Sequence, residues 1–214
     1  MKKITMIFVV AVFGISSIQA QSENFKNVVS LTAGYSLFNV LGKGASQDVA
    51  QGATYNASPT LQASYDYGFG NVFSLGGAVS FNEAKTQATN YEWTDAAGNL
   101  TYGDYDVKVA RTTIGLRALF HYGNKGRLDM YSGVRLGVGI WSLKYSSTNP
   151  SFDPDNEIKG LRGSGALPQF QIIPFALRGY ITDNIGLGFE TAIGSPYMAS
   201  LSLNYRFGAG APKK

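Results

Sequence analysis

The chain has 214 residues, with 18 basic and 14 acidic side chains, one histidine and no cysteine. Charged residues make up only 15% of it, against 26 glycines, 13 tyrosines and 13 phenylalanines, which is too little charge for a water-facing exterior. The lack of cysteine excludes a disulfide framework and a lipidated-cysteine anchor, and no clustered basic patch points to nucleic acid as a partner.

Lys2 and Lys3 precede an apolar run, Ile4 to Ile15, and a small-to-polar stretch, Ser16 to Ala20. This is the pattern of a secretory signal peptide over residues 1–20, with cleavage expected after Ala20; the run is too short to span a bilayer as a helix. Losing Lys2 and Lys3 takes two units from the formal net charge of +4, so half of the basicity belongs to the leader. Residues 21–207 suit one domain. Gly208 to Lys214 reads as a short disordered tail.

Eight alternating segments follow the polar stretch Gln21–Lys26. Alternate side chains of a strand face opposite sides, so each segment is read as two faces. Segment one, 27–38, sets Val29, Leu31, Ala33, Tyr35 and Leu37 against Val28, Ser30, Thr32, Gly34 and Ser36. A loop, Asn39–Asn56, leads to segment two, 57–67, with Leu61, Ala63, Tyr65 and Tyr67 on its oily face. Gly68 to Asn71 is a tight turn. Segment three, 72–83, sets Phe73, Leu75, Val79 and Phe81 outward, and a polar loop, Ala84–Asp104, follows. Segment four, 105–122, turns Ile114, Leu116, Ala118, Phe120 and Tyr122 one way and Arg111, Thr113, Gly115, Arg117 and His121 the other.

Gly123 to Gly126 is the second tight turn. Segment five, 127–144, sets Leu128, Met130, Val134, Leu136, Val138 and Ile140 against Tyr131, Gly133, Arg135, Gly137, Gly139 and Trp141. The third long loop is Tyr145–Leu167. Segment six, 168–181, turns Ile173, Phe175 and Leu177 outward and Pro174, Ala176, Arg178 and Tyr180 inward. Thr182-Asp183-Asn184 is the third tight turn. Segment seven, 185–194, sets Ile185, Leu187, Phe189 and Ile193 against Gly186, Gly188, Glu190 and Ala192. After the short turn Gly194-Ser195-Pro196, the last segment puts Ala199, Leu201, Leu203, Tyr205 and Phe207 on one face and Ser200, Ser202, Asn204 and Arg206 on the other.

Long and short connections alternate up to the last, which is short. With an even strand number, this is the layout of an all-β, eight-stranded, antiparallel, up-and-down transmembrane β-barrel. A soluble barrel alternates too, but needs a charged exterior. Here the polar faces are mostly Gly, Ser, Thr and Ala, which suit the narrow interior of an eight-stranded barrel. Aromatics on the oily faces near the short turns form a girdle at headgroup level.

The chain resembles the small OmpA/OmpX-like outer-membrane barrels of diderm bacteria. The carriers are the leader, Tyr65-Asp66-Tyr67-Gly68 before a turn, Tyr131-Ser132-Gly133-Val134-Arg135-Leu136-Gly137, Arg178-Gly179-Tyr180 before Thr182-Asp183-Asn184, and the last strand. The resemblance implies that the last strand is the signal read by the barrel-assembly machinery, a role that falls on Leu201, Leu203, Tyr205 and Phe207. It also implies the cell outer membrane as location, its lipids as partners and a monomeric state.

Inward charges are expected at Asp66, Arg111, Arg117, Arg135, Arg178, Glu190 and Arg206. Across the third tight turn Arg178 falls opposite Gly188, with Glu190 its diagonal neighbour. Arg117 falls near Tyr131 and Gly133. A carboxylate among guanidinium groups in a confined interior is expected to be paired, giving either a structural plug or a constriction selective for anions. His121 faces inward beside a short turn, and spacing supports no Ser–acid pair near it, so no catalytic residue is assigned. Asp153-Pro154-Asp155-Asn156-Glu157 fails the EF-hand pattern because Ile158 stands where glycine is required. No metal or cofactor site appears. Tyr91, Trp93 and Tyr102, among acids in the second long loop, are candidates for recognition of an extracellular ligand. The leading function is a non-enzymatic structural or surface-interaction barrel. A narrow small-solute channel is the alternative, and a lipid-modifying barrel enzyme the third.

Overall fold

The structure is a computed structural model that describes residues 25–36, 39, 53–94, 98–122, 126–149 and 165–209. The expected signal peptide, the acidic stretch 153–157 and the residues beyond Ala209 lie outside the described residues. Among them are nine strands: β1 (Phe25–Tyr35), β2 (Thr54–Ala57), β3 (Thr60–Phe69), β4 (Phe73–Thr94), β5 (Leu100–His121), β6 (Leu128–Ser147), β7 (Ala166–Tyr180), β8 (Ile185–Gly194) and β9 (Ala199–Ala209).

These nine strands make eight staves. β2 and β3 run in line, and both pair with β4. Pro59 separates them, because proline has no N–H to give to a ladder. Ser58 bridges the gap: its N–H donates to the Glu83 carbonyl at 2.8 Å, and its Oγ accepts from the Glu83 N–H at 2.9 Å. Every neighbouring pair is antiparallel, and the ring closes where β1 pairs with both β3 and β9. Leu31 stands opposite Leu203 on one side and Ala63 on the other. The last strand therefore closes on the first, and the barrel wall has no free edge.

The distribution of side chains is inside-out. Leu31, Leu116, Leu201 and Leu203 are exposed on the exterior, Leu116 by 73%, while Arg117, Arg135, Arg178 and Asp66 are buried inside. Burying one such leucine is worth roughly 1.5–3 kcal/mol, so an exterior of this kind is stable only where lipid replaces water. No helix among the described residues is long and apolar enough to cross a membrane; the barrel crosses with its strands.

Three sequence expectations are corrected. The face assignment of segment six fails at a bulge. Register shifts between Ile172 and Phe175 of β7 against β8, and between Tyr131 and Gly133 of β6 against β7. Ile173 is consequently buried inside, while Pro174 and Phe175 both face outward. The extra residue of a bulge reverses parity on one side of it, and Pro174, which cannot donate to the ladder, sits at that extra position. Second, Ala84–Asp104 is mostly strand. β4 and β5 continue past the barrel as a hairpin, paired out to Thr94–Leu100. Third, strand also covers the ends of the other two loops: Thr54–Asn56, Tyr145–Ser147 and Ala166–Leu167.

Candidate functional site

The interior holds the chemistry. In its middle three carboxylates, Asp66, Asp129 and Glu190, meet three guanidinium groups, Arg117, Arg135 and Arg178, all buried. Arg178 pairs with Asp66 at 2.7 Å and with Asp129 at 3.6 Å. Arg117 bridges Asp66 at 3.1 Å and Glu190 at 3.0 Å, and Arg135 lies 3.6 Å from Glu190. Formal charges cancel within this set. A buried ion is costly unless paired, and here each acid touches at least one arginine.

Alternation along five different staves aims these groups at one point. The residues named in advance as an interior cluster (Arg117, Tyr131, Arg135, Arg178 and Glu190) do come together. Tyr131 donates its hydroxyl to Glu190 Oε2 at 3.0 Å, and Arg178 stacks over its ring at 4.4 Å. The expected pairings change, however. Arg178 does stand opposite Gly188, but its ion pairs go across the lumen to Asp66 and sideways to Asp129, its register partner on β6, rather than to its diagonal neighbour Glu190. Arg117 stands opposite Arg135, and Leu119 takes the place opposite Gly133. Two arginines side by side require a shared anion, and Glu190 serves both.

Sequence reasoning missed two members: Asp129, two residues before Tyr131 and on the same inward face of β6, and Tyr197. Tyr197 belongs to the short turn between β8 and β9, which folds into the mouth instead of away from it. Its hydroxyl donates to Glu190 Oε1 at 2.6 Å and accepts from Arg135 at 3.1 Å and Gln62 at 3.3 Å. Gln171 fixes the turn by donating to the Tyr197 carbonyl at 2.7 Å. The brevity of this connection, the one break in the long–short rhythm, was the available signal. Beside it Arg111 donates to Asn82, Ser195, Ser36 and the Pro196 carbonyl, all within 3.1 Å, and lies over the Trp141 ring.

At the opposite end, Arg206 stacks on Tyr180 at 3.8 Å and donates to the Gly126 and Asp183 carbonyls. His121 lies here too, and it has the Ser–acid pair that spacing did not reveal. Its Nε2 is 2.9 Å from Ser74 Oγ, and its Nδ1 is 2.7 Å from Asp129 Oδ1. Three strands contribute, so no local motif marks the set. The order of hydrogen bonds is that of a hydrolase triad, but Ser74 is 4% exposed and stands opposite the fully buried Leu119. Asp129 is also tied to Arg178. The chain of bonds links the end of the barrel to the central charge cluster.

The recognition candidates do not form one patch. Tyr102 pairs with Glu92 and donates to its carboxylate at 3.3 Å. Tyr91 pairs with Gly103, one position along, which puts it on the opposite face of the hairpin. Trp93 pairs with Thr101 in the backbone. On β9, Leu201, Leu203, Tyr205 and Phe207 all face outward, with the last two rings stacked at 5.9 Å. Among the described residues no group of His, Cys, Asp or Glu could hold a metal ion.

No protein-family model matches the sequence, and no curated protein matches it. Solved structures do resemble the fold. The N-terminal β-barrel domain of Pseudomonas aeruginosa OprF aligns over 86% of this chain and 99% of its own, at 15% identity and a TM-score of 0.42. Neisserial surface protein A aligns over 85% and 97%, at 13% identity and a TM-score of 0.43. The Yersinia pestis outer membrane protein Ail aligns over 86% and 99%, at 18% identity and a TM-score of 0.37. The architecture of this chain rests on its own strand pairing, and these likenesses add nothing about its chemistry.

Proposed function

We propose that this chain is a monomeric outer-membrane barrel, closed to solutes and without enzymatic activity, whose role is structural or lies in surface interaction through the end that carries the β4–β5 hairpin. One observation carries the closed state: the neutral set of three acids and three arginines, capped by Tyr197, that fills the lumen. An eight-stranded barrel is just wide enough for side chains to fill it, and these side chains are bonded to one another rather than lining an open path. The apolar exterior supports the membrane, and the signal-peptide pattern supports export to the outer one. The end opposite the short turns supports recognition because β4 and β5 extend there beyond the other staves, a rigid base for loops that carry contacts.

Conductance across planar bilayers of the purified, refolded chain tests this reading. The expected record is flat, with rare brief events. Steady openings of defined size would overturn the closed state in favour of the narrow channel.

A further inference from the structure

One row on the exterior breaks the pattern that lipid imposes. Across β4, β5 and β6 the outward rows are Gly77–Leu116–Leu136, then Val79–Ile114–Val138, then Phe81–Thr112–Ile140. Two rows further on stand Lys85, Lys108 and Lys144, each directly opposite the next, with Asn56 of β2 beside Lys85. Like charges directly opposite each other destabilise a sheet. Two acids offset part of this: Asp106 lies 2.6 Å from Lys85, and Glu83 lies 2.8 Å from Lys108. Lys144 is exposed and has no ion pair among the described residues. The row keeps a net positive charge.

Its height matters. Lys85 is four residues beyond Phe81, which is about 13 Å along a strand and about 10 Å in height at a tilt of roughly 40°. A lysine stem lies along apolar surface and carries its ammonium to the interface, so these three groups reach the headgroup level. Nearer the short turns, the same wall has a shallow apolar groove lined by Val29, Ala63, Tyr65, Gly77, Val79 and Leu116. Gly77 opens it. That position faces outward with no side chain, and the nearest atom to an added Cβ is the Gly115 carbonyl oxygen at 3.9 Å. Charge complementarity and groove lie on one line of strands, one above the other.

We propose that this face binds one phosphorylated glycolipid of the outer leaflet, of the lipid A class. The lysine row takes the phosphate and the groove takes an acyl chain. The inference rests on the outer-membrane reading above. A phosphomonoester carries about −1.5 to −2 charge at neutral pH, more than a phosphodiester, and so matches three ammonium groups flanked by two carboxylates.

The test uses the full chain refolded into phosphatidylethanolamine vesicles that contain lipid A, dephosphorylated lipid A or phosphatidylglycerol. Heat-modifiable gel mobility reports insertion, and native mass spectrometry after release into mild detergent reports retained lipid. Lipid A is expected to be retained in preference to both other lipids. The triple variant Lys85→Gln, Lys108→Gln, Lys144→Gln is expected to insert normally and to lose retention by an order of magnitude or more, as three lysines at a charged leaflet warrant. Gly77→Leu, which fills the groove with the lysines intact, is expected to weaken retention severalfold. Equal retention by parent and triple variant overturns the site, and so does equal retention of the dephosphorylated lipid. Phosphatidylglycerol held as well as lipid A overturns the assignment of the ligand. Failure of the parent to insert overturns the membrane reading, and this inference with it.

Discussion

The Tyr197 hydroxyl reaches from a turn at the barrel mouth to Glu190 Oε1, 2.6 Å away on the wall of β8. One phenol thus joins the closing of the mouth to the central charge cluster. Tyr197→Ala removes both the ring and the bond and is expected to turn a flat bilayer record into frequent openings. Tyr197→Phe keeps the ring and loses the hydroxyl's bonds to Glu190, Arg135 and Gln62, of which the one to the charged acceptor is worth roughly 1.5–3 kcal/mol, and is expected to lower stability to urea with fewer openings than the alanine variant. Equal conductance from all three chains would show that Tyr197 is no stopper.

Glu190 collects Arg117, Arg135, Tyr131 and Tyr197. Glu190→Gln leaves two neighbouring guanidinium groups without their shared anion, and breaking a buried pair this way costs about 3–5 kcal/mol. Adding Arg117→Met removes the one excess charge, and Asp66 keeps Arg178 as its partner. The double variant is expected to be more stable than Glu190→Gln alone in urea unfolding of vesicle-inserted protein. A double variant that is less stable by the sum of both changes would mean that the charges do not interact.

How far the sequence anticipated this interior depended on parity. Alternation correctly turned Asp66, Arg111, Arg117, Arg135, Arg178, Glu190 and Arg206 inward, because one face of each strand had to be apolar. Asp129 meets Arg178 by register between β6 and β7, but the other arginine pairings depended on distances across the lumen, and strand register carries no information about those. Asp66 and Arg178 are 112 residues apart. The fault in β7 was local. Proline in a strand signals an edge or a bulge, and in a closed wall without edges Pro174 had only the bulge available. Tyr197 was hidden for another reason: turn residues follow no period, so nothing in the pattern says that a turn folds inward.

Ser74, His121 and Asp129 have the bonds of a triad without an approachable hydroxyl. Parent protein is expected to show no labelling of Ser74 by a fluorophosphonate probe and no ester hydrolysis above the level of Ser74→Ala. Ser74→Ala is expected to lose roughly 0.5–1.5 kcal/mol, the net worth of one hydrogen bond, and to leave lipid composition unchanged in cells. Covalent labelling at Ser74 that His121→Ala abolishes would reverse the non-enzymatic reading.

The outward face of β9 carries two separable demands, solvation by lipid and recognition during assembly. Leu203 lies midway along that face, with Phe207 toward the end near the short turns. An arginine at the bilayer midplane costs about 2–4 kcal/mol, falling to about 0–1 near an interface. Leu203→Arg is therefore expected to destabilise the chain strongly when it refolds in vesicles without other proteins, and Phe207→Arg only slightly. In cells the order should reverse if the terminal aromatic is read by the assembly machinery. Phe207→Arg would then fail to reach the outer membrane despite near-normal stability in vitro, and Leu203→Arg would arrive in reduced amount. Normal outer-membrane levels of Phe207→Arg would remove the assembly role from that residue and leave it as part of the aromatic girdle alone.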